Sequence, residues 1–325
     1  MADNFPSLMD VARQSGDKKV QSVVEVLNQT NEALDDIPWI ECNSGVTHIT
    51  TVRTGLPTAT WRKLNSGVPT SGTQTKQIKA GTGMLEVYAE VDKKLVDLSK
   101  RKSNFIANRN KAFIEGMGQE MARVMFYGDP ANPEEPVGFV NYYNDLNAES
   151  GKNILDGGGT GADNTSIWLI CWGEDGLHGL YPSGTTAGLK EEYLGQVTLR
   201  DKQGGQYEGY RTHYEWNGGF VVTDWRCATR IANVDVTKLV DSATDAADLA
   251  TLMIQATHKL PKKARSMRKA FYCREEVLTA LDLQTRKTTN LMLSYQDVFG
   301  KQVLTFRGIP IRQADALLAT EARVQ

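Results

Sequence analysis

The run Gly157-Gly158-Gly159-Thr160-Gly161 is the first stretch whose spacing suggests ligand chemistry. A loop that cradles phosphate needs Lys and Ser or Thr after its last glycine, at the start of a helix. Here Gly161 is followed by Ala162, Asp163 and Asn164 and then by an apolar, strand-like run. A solvent-exposed flexible loop is therefore expected. No G-x-S-x-G elbow and no H-E-x-x-H pair occurs, which removes the commonest serine-hydrolase and zinc-protease signatures. Glu134 and Glu135 sit together beside prolines. Paired catalytic carboxylates need environments that push their pKa values apart, which neighbouring loop glutamates do not supply. Cys42, Cys171, Cys227 and Cys273 form no C-x-x-C pair, and His48, His178, His213 and His258 are equally scattered. Four free thiols and no clustered metal ligands are the expectation. No catalytic residue, cofactor site or metal site is assigned.

Lys259, Lys262, Lys263, Arg265, Arg268 and Lys269 form a basic cluster with no acid among them. Such a cluster suits phosphates or acidic neighbours, or equally a solvated loop at a helix C-terminus, where cations complement the dipole. Against the first reading stands the whole-chain balance of 37 basic and 39 acidic residues, a net charge of -2. No bulk positive excess exists to drive nucleic-acid binding by counterion release. The 325 residues are 40% hydrophobic and 23% charged, a composition that folds and that excludes a disordered chain. The longest apolar runs, such as Ile167 to Trp172, fall far short of the ~20 residues that span a bilayer. Met1 to Gln14 carries acids and lacks a secretory pattern.

The elements around these residues have an unusual distribution. Val20, Val23, Val24, Leu27 and Leu34 repeat at helical spacing, as an arm that packs on a neighbour or as an ordinary first helix. Residues 42–82 are dense in Thr, Ser and Gly. They read as a long two-stranded excursion, with one strand over Val46–Arg53, a return over Gln74–Ala80, and Trp61-Arg62-Lys63-Leu64 between them. With little apolar content it must lean on something else. Met84–Val91 alternates as a half-buried strand. Ile106, Phe113, Met117, Met121 and Val124 then form one stripe of a helix over 103–127, about 37 Å long. Gly116 and Gly118 weaken it by roughly 0.8–1 kcal/mol each, a cost that close approach of another backbone would offset. Residues 167–234 read as β, with Trp216-Asn217-Gly218-Gly219-Phe220 expected to form a hairpin turn and Trp168, Trp172, Trp216 and Trp225 expected in the core. A helix over Asp245–Lys259 capped by Thr244, a strand over Lys269–Cys273, a helix over Arg274–Leu283 and two strands joined at Gly308 complete the reading.

This order of elements resembles the major capsid proteins of tailed double-stranded DNA bacteriophages, whose fold is the Hong Kong 97 type. The segment Lys269-Ala270-Phe271-Tyr272-Cys273-Arg274-Glu275-Glu276-Val277-Leu278 is similar to that family's strand-then-helix segment. Asp297-Val298-Phe299-Gly300-Lys301 and Leu304-Thr305-Phe306-Arg307-Gly308-Ile309-Pro310-Ile311 are similar to its terminal strand, and Trp172-Gly173-Glu174-Asp175-Gly176-Leu177-His178-Gly179-Leu180-Tyr181-Pro182 resembles the short-tailed branch.

The resemblance implies an α+β fold. Its parts would be an N-terminal arm (1–41), an extended hairpin or E-loop (42–82), a peripheral domain with a spine helix (83–135, helix 103–127), and an axial domain with returning peripheral strands (136–325). Only fifteen residues follow Pro310, so those returning strands are expected within 165–235. It further implies a non-enzymatic coat protein of the virion, assembled in the host cytoplasm. Pentamers and hexamers would build an icosahedral shell around the phage genome, which the shell touches weakly and without specificity. Decoration or cement, scaffolding and portal proteins would be partners, and no membrane is involved. Some family members cross-link Lys to Asn; Lys63, Lys76 and Lys79 lie in the loop region without an identifiable partner, so a noncovalent shell is expected. Trp61, Arg62, Lys63 and Leu64 at the hairpin tip are the candidate assembly residues, the cations to meet acids of a neighbour and the apolar pair to anchor them. An encapsulin-like compartment shell and an unrecognised enzyme are the alternatives.

Overall fold

The computed structural model describes residues 32–55, 57–72, 74–99, 102–241, 246–287, 293–298 and 301–325. The expected helix through Val20–Leu27, the Thr244 cap and part of the Asp297–Lys301 motif lie outside them. The described chain opens with one helical turn, α1 (Glu32–Asp35), and a short strand, β1 (Trp39–Glu41). The hairpin β2 (Thr47–Gly55) and β3 (Gln74–Gly81) follows, then β4 (Gly83–Asp92), α2 (Lys93–Leu98) and the long helix α3 (Lys102–Tyr127). Next come β5 (Ile154–Asp156), β6 (Asn164–Trp172), β7 (Leu177–Tyr181), β8 (Lys190–Arg200), β9 (Gln206–Val222) and β10 (Ala228–Asp235). The remainder is α4 (Val236–Val240), α5 (Leu249–Lys259), β11 (Arg268–Cys273), α6 (Glu275–Lys287), β12 (Leu293–Val298), β13 (Lys301–Phe306) and β14 (Ile309–Gln313).

One twelve-stranded sheet runs in the order β12-β13-β14-β11-β6-β7-β9-β4, with β1 beside β7, β10 beside β5 and β6, and β8 beside β9. Its pivot is β6, buried at all nine residues. A strand covered on both faces reads as a continuous apolar run rather than an alternation, which is the pattern of Ile167–Trp172. Trp168, Ile170 and Trp172 enter a core with Trp39, Phe126, Phe139, Trp216, Phe220 and Tyr272. Ile167 and Leu169 enter a second core with Leu249, Met253, Phe271, Phe306 and Ile311. In the first core, Leu85, Val87 and Ala89 of β4 face Ile114, Met117 and Met121 of α3. That is the period-2 and period-3.6 match the sequence pattern requires. β9 returns to pair with β4, and β8 pairs with β9.

Three local expectations are corrected. Trp216–Phe220 makes no hairpin turn; it lies inside the 17-residue strand β9. Leu85 pairs with Trp216 on one side and Gly179 with Phe220 on the other, so the strand runs straight from one partner to the next. The glycines serve close approach: a Cβ at Gly218 would meet the Trp39 ring at 3.2 Å, and one at Gly219 would meet the Gly81 carbonyl at 2.5 Å. The Gly157–Gly161 run is stitched down rather than loose. Gly157 and Gly159 donate N–H bonds to the Ala232 and Asn233 carbonyls at 2.8 and 2.7 Å, and a Cβ at Gly159 would meet the Asn233 carbonyl at 2.6 Å. Finally, no other backbone approaches Gly116, because nothing lies within 4 Å of where its Cβ would be. The α5 helix is capped by Asp248, which accepts from the Thr251 amide at 3.2 Å. The Gly308 turn stands as read, with Arg307 and Gly308 both at positive φ (52° and 78°) in a two-residue hairpin loop.

Where α3, β6, β10 and the C-terminal segment meet, a charge is buried. Arg230, 1% exposed, donates to Glu321 at 2.8 Å, to Ser166 Oγ at 2.9 Å and to the Tyr143 carbonyl at 2.7 Å. Glu321 also accepts from the Ser166 and Tyr127 hydroxyls. Removing one partner of such a pair leaves the other charged and unpaired. Glu321→Gln is expected to cost about 3–5 kcal/mol, read by urea denaturation of the unassembled subunit; a loss under 1 kcal/mol would contradict this account. On the same measurement Gly116→Ala is expected to stabilise by about 0.8–1 kcal/mol, the helix-propensity difference at an open site.

Candidate assembly surface

The hairpin β2–β3 forms a separate two-stranded sheet, in register from Thr47↔Gly81 to Gly55↔Gln74 with a bulge near its far end. Asn43 clamps its root, donating to the Ile49 carbonyl at 2.8 Å and accepting from the Ile49 amide at 2.9 Å. Thr82 ties the other leg by donating its amide and hydroxyl to the Val46 carbonyl, each at 3.0 Å. Ala80 joins Cys42, Leu180 and Val221 in a small apolar cluster. Beyond the root the chain turns its side chains to solvent: Val46 and Ile49 are exposed, as is every residue from 57 to 72. An isolated two-stranded hairpin is marginal in water, and beyond its root this one has no packing of its own.

The structure brings the four sequence-predicted residues to the tip. Trp61 is 102% exposed and Leu64 92%. The Ser66 amide donates to the Lys63 carbonyl at 3.3 Å, Asn65 takes a positive φ of 63°, and Ser71 Oγ donates to the Thr58 carbonyl at 3.0 Å. The tip therefore has a defined path although it buries nothing. Trp61 and Leu64, three positions apart, thus leave large apolar side chains open to solvent. Charge adds direction, because 43–83 holds Arg53, Arg62, Lys63, Lys76 and Lys79 and no acid.

The three-stranded outer layer β8–β9–β4 has the opposite character. Register places Met84, Glu86, Tyr88 and Glu90 of β4 on the face that carries Arg211, His213, Glu215 and Asn217 of β9 and Lys190 and Glu192 of β8. Four carboxylates there face two permanent cations. Arg211 pairs with Glu90 at 2.6 Å, His213 with Glu86 at 3.0 Å and Lys190 with Glu215 at 3.7 Å. Tyr88 stacks on His213 with ring centroids 4.5 Å apart, and the Arg211 guanidinium lies 5.5 Å from its centroid. Met84 and Tyr88 stay exposed. Sequence reading missed this face; the alternation in Met84–Val91 held the signal, since its outward residues are acidic and aromatic.

The basic cluster is not a coherent phosphate surface. Lys263 pairs with Asp224 at 2.7 Å and donates to the Asp175 carbonyl at 3.1 Å. Arg268 pairs with buried Asp36 at 2.5 Å, beside Tyr272 and Arg312. Lys259 donates to the Lys152 carbonyl and Lys269 to that of Arg265. All four cysteines are buried and free. Burial pushes the Cys171 and Cys273 thiols up to about 12 and those of Cys42 and Cys227 to about 11, so they are poor nucleophiles. Among the described residues, no helix is long and apolar enough to cross a membrane.

The model of the major capsid protein GP7 family matches residues 15–325. The chain belongs to the major capsid protein GP7 family. A solved structure from bacteriophage Epsilon15 is similar at 32% identity, with a TM-score of 0.67 over 88% of this chain and 87% of that one. The capsid of a native GTA particle (11% identity, TM-score 0.42, 60% of this chain and 86% of that one) also aligns, as does a holo encapsulin complex from Synechococcus elongatus PCC 7942 (12%, 0.41, 62% and 86%). At those scores neither bears on the assignment. No curated protein matches. This major capsid protein has the Hong Kong 97-type fold, assembles with copies of itself into a shell, and resides in the virion.

Asp224 reports on how tightly the coat subunit holds its own cations. Burial alone would raise its pKa, yet hydrogen bonds from Arg226 and Lys263 bring it down to about 2. A depressed carboxylate contributes stability that is complete above its unfolded value, near 4, and is lost as pH falls toward 2. Asp224→Asn is expected to cost about 1.5–3 kcal/mol at pH 7 and to flatten the acid limb of the stability profile between pH 4 and 2, measured by urea titration.

Proposed function

We propose that the GP7-family coat subunit closes its shell by laying the cationic hairpin of one copy over the acidic outer sheet face of the next. The observation that carries this reading is the pairing of opposites on one chain. A hairpin of five cations and no acid ends in exposed Trp61 and Leu64, and an exposed sheet face presents Glu86, Glu90, Glu192 and Glu215 around Tyr88. Such a contact is heterologous, and heterologous contacts close into rings. Rings of five and six then build an icosahedral shell around the phage double-stranded DNA. The hairpin acts as the E-loop of the fold, and α3 as its spine helix. Strands β8 and β9, of which β9 pairs with β4, form the peripheral domain with 83–135. The rest of 136–325 forms the axial domain, and 1–41 is the arm.

Trp61 and Leu64 supply apolar anchoring, since aromatic anchors dominate interface energy. Arg62 and Lys63 set direction and encounter rate, which is the larger part of what complementary charge provides. The shell is noncovalent, since neither a partner Asn nor a catalytic acid is identified for Lys63, Lys76 or Lys79. The near-zero net charge keeps the packaged genome free of the inner wall. The subunit catalyses no reaction, is assembled in the host cytoplasm, and takes portal, scaffolding and decoration proteins as partners.

The double mutant Arg62→Glu/Lys63→Glu is expected to give folded subunits that form no closed particles, by circular dichroism, sedimentation and negative-stain microscopy. Adding Glu192→Lys and Glu215→Lys to that chain is expected to restore particles in part. Normal particles from the double mutant would sink the assignment.

A further inference from the structure

Where β4 begins, the body carries a small open cavity of about 180 Å³. Buried Met121 and Val124 of α3 line it, with Leu85 of β4, Gly218 of β9 and Pro136. Met84, 74% exposed, borders it. Its polar part comes from Asn132, Glu134 and Glu135 in the loop after α3 and from Glu120 on the helix. Arg123 pairs with Glu120 at 2.7 Å and with Glu135 at 3.2 Å. Exposed Glu134 has no ion-pair partner among the described residues. An apolar lining is thus surrounded by three carboxylates and one guanidinium. The chain's own Trp61 does not fill this space. That ring is 102% exposed at the far end of a hairpin with strands of nine and eight residues. Such a hairpin is roughly 30 Å long, and its root at Gly81 lies two positions from Gly83 of the cavity.

We infer that this cavity is the socket for Trp61 of a second copy, so that each subunit receives its neighbour's hairpin tip beside the root of its own. The assignment rests on the hairpin docking proposed above and names where the tip ends. Size selects a single side chain. An apolar cavity of about 150 Å³ holds benzene, whereas small-molecule sites run to roughly 300–1,000 Å³. The thioethers of Met121 and Met84 favour an aromatic occupant, because sulfur makes attractive contacts with rings. Asn132 and Glu134 carry oxygen acceptors for the indole N–H, which needs one when buried. Charge then selects which aromatic. Among the described residues the other exposed ones are Tyr88, Tyr193 and Tyr207. Tyr88 lies between Glu86 and Glu90 on its strand face, Tyr193 follows Glu191 and Glu192, and Tyr207 precedes Glu208. Their acids would be repelled by the carboxylates around the cavity. Trp61 is followed by Arg62 and Lys63, which complement the unpaired Glu134. The cavity is also continuous with the acidic outer face, since Met84 belongs to both. An aromatic anchor seated in a pocket is the arrangement that concentrates interface energy.

The test uses the full chain, whose four native thiols are buried. Particles of Lys63→Cys/Glu134→Cys are treated with a short bismaleimide beside particles of Lys63→Cys/Glu192→Cys. Glu192 lies across from His213, and Met84 from Asn217, four positions along β9, so the two pairs report different docking points. Chains linked to their neighbours are expected through position 134 and not through 192. Links through 192 alone would overturn the socket and leave the hairpin on the sheet face. Closed particles with links through neither would overturn both. A second variant, Leu85→Phe, fills the cavity from its wall and decides the matter if the cysteine chains form no particles. It is expected to fold, by circular dichroism, and to lose particle formation by sedimentation and negative-stain microscopy. Normal particles from Leu85→Phe would overturn the socket.

Discussion

The Arg230 guanidinium is the point on which the subunit's architecture turns. It is reached from five places in the chain: its own β10, Ser166 on β6, Tyr143 in the loop after α3, Glu321 near the C-terminus and, through Glu321, Tyr127 at the end of α3. Trp168 lies beneath it, 5.4 Å from the guanidinium carbon. A buried ion pair is not by itself a source of stability, because desolvation offsets most of the attraction. What it does is fix geometry. Glu321 and the Asn233 bonds to Val324 (Val324 N–H to Oδ1 at 2.8 Å, Nδ2–H to the Val324 carbonyl at 3.0 Å) hold the C-terminal segment against the central strand. The long helix, the pivot strand and the chain's last residues are therefore locked to one register.

That lock explains how one subunit can be rigid in its body and incomplete at its edge. Two cores lie on either side of β6, and the aromatic set around Phe126, Phe139, Trp172 and Tyr272 packs with centroids 6.0–6.5 Å apart. Dense packing of that kind transmits strain rather than absorbing it. The hairpin has no such core and is joined to the body by a few root contacts. In the proposed assembly, a well-packed body carrying a hairpin without a core would let copies of one chain meet at slightly different angles without a different fold in each.

Legibility in the sequence follows the same division. The alternation of Met84–Val91 and the stripe from Phe113 to Val124 were readable because each element packs one face only, so its period survives. The Gly308 turn was readable because local chemistry decides it. Trp216–Phe220 was misread because its turn signal is local while its pairing is not: β4 and β7 both claim the strand, and the glycines answer to Trp39 and to the Gly81 carbonyl. The Gly157–Gly161 run was misread for the same reason, since its partner, β10, lies some seventy residues further on. The candidate tip, Trp61 to Leu64, was legible as an apolar pair beside two cations in a segment with no core. The acidic face that the proposal sets against it was legible only in part: Glu86, Tyr88 and Glu90 show in the alternation of β4, while Glu192 and Glu215 join them only once β8, β9 and β4 are in register.

The cost of ordering such a hairpin decides what it can be for. Fixing each residue's backbone costs roughly 1–2 kcal/mol, and from 57 to 72 the chain buries no side chain to offset it. Its Thr, Ser and Gly content keeps side-chain entropy loss small but contributes little burial of its own. In the proposed docking, Trp61 with Leu64 supply only part of the compensation, since each fully buried large apolar side chain is worth about 1.5–3 kcal/mol. In that assembly a single docked hairpin would be a weak contact, and closure of a ring would add contacts without adding equally to the entropy already lost. Weak individual contacts, strengthened by closure, allow misplaced subunits to leave before the shell is sealed. The open tip that looks like a defect in the monomer is consistent with assembly that corrects itself.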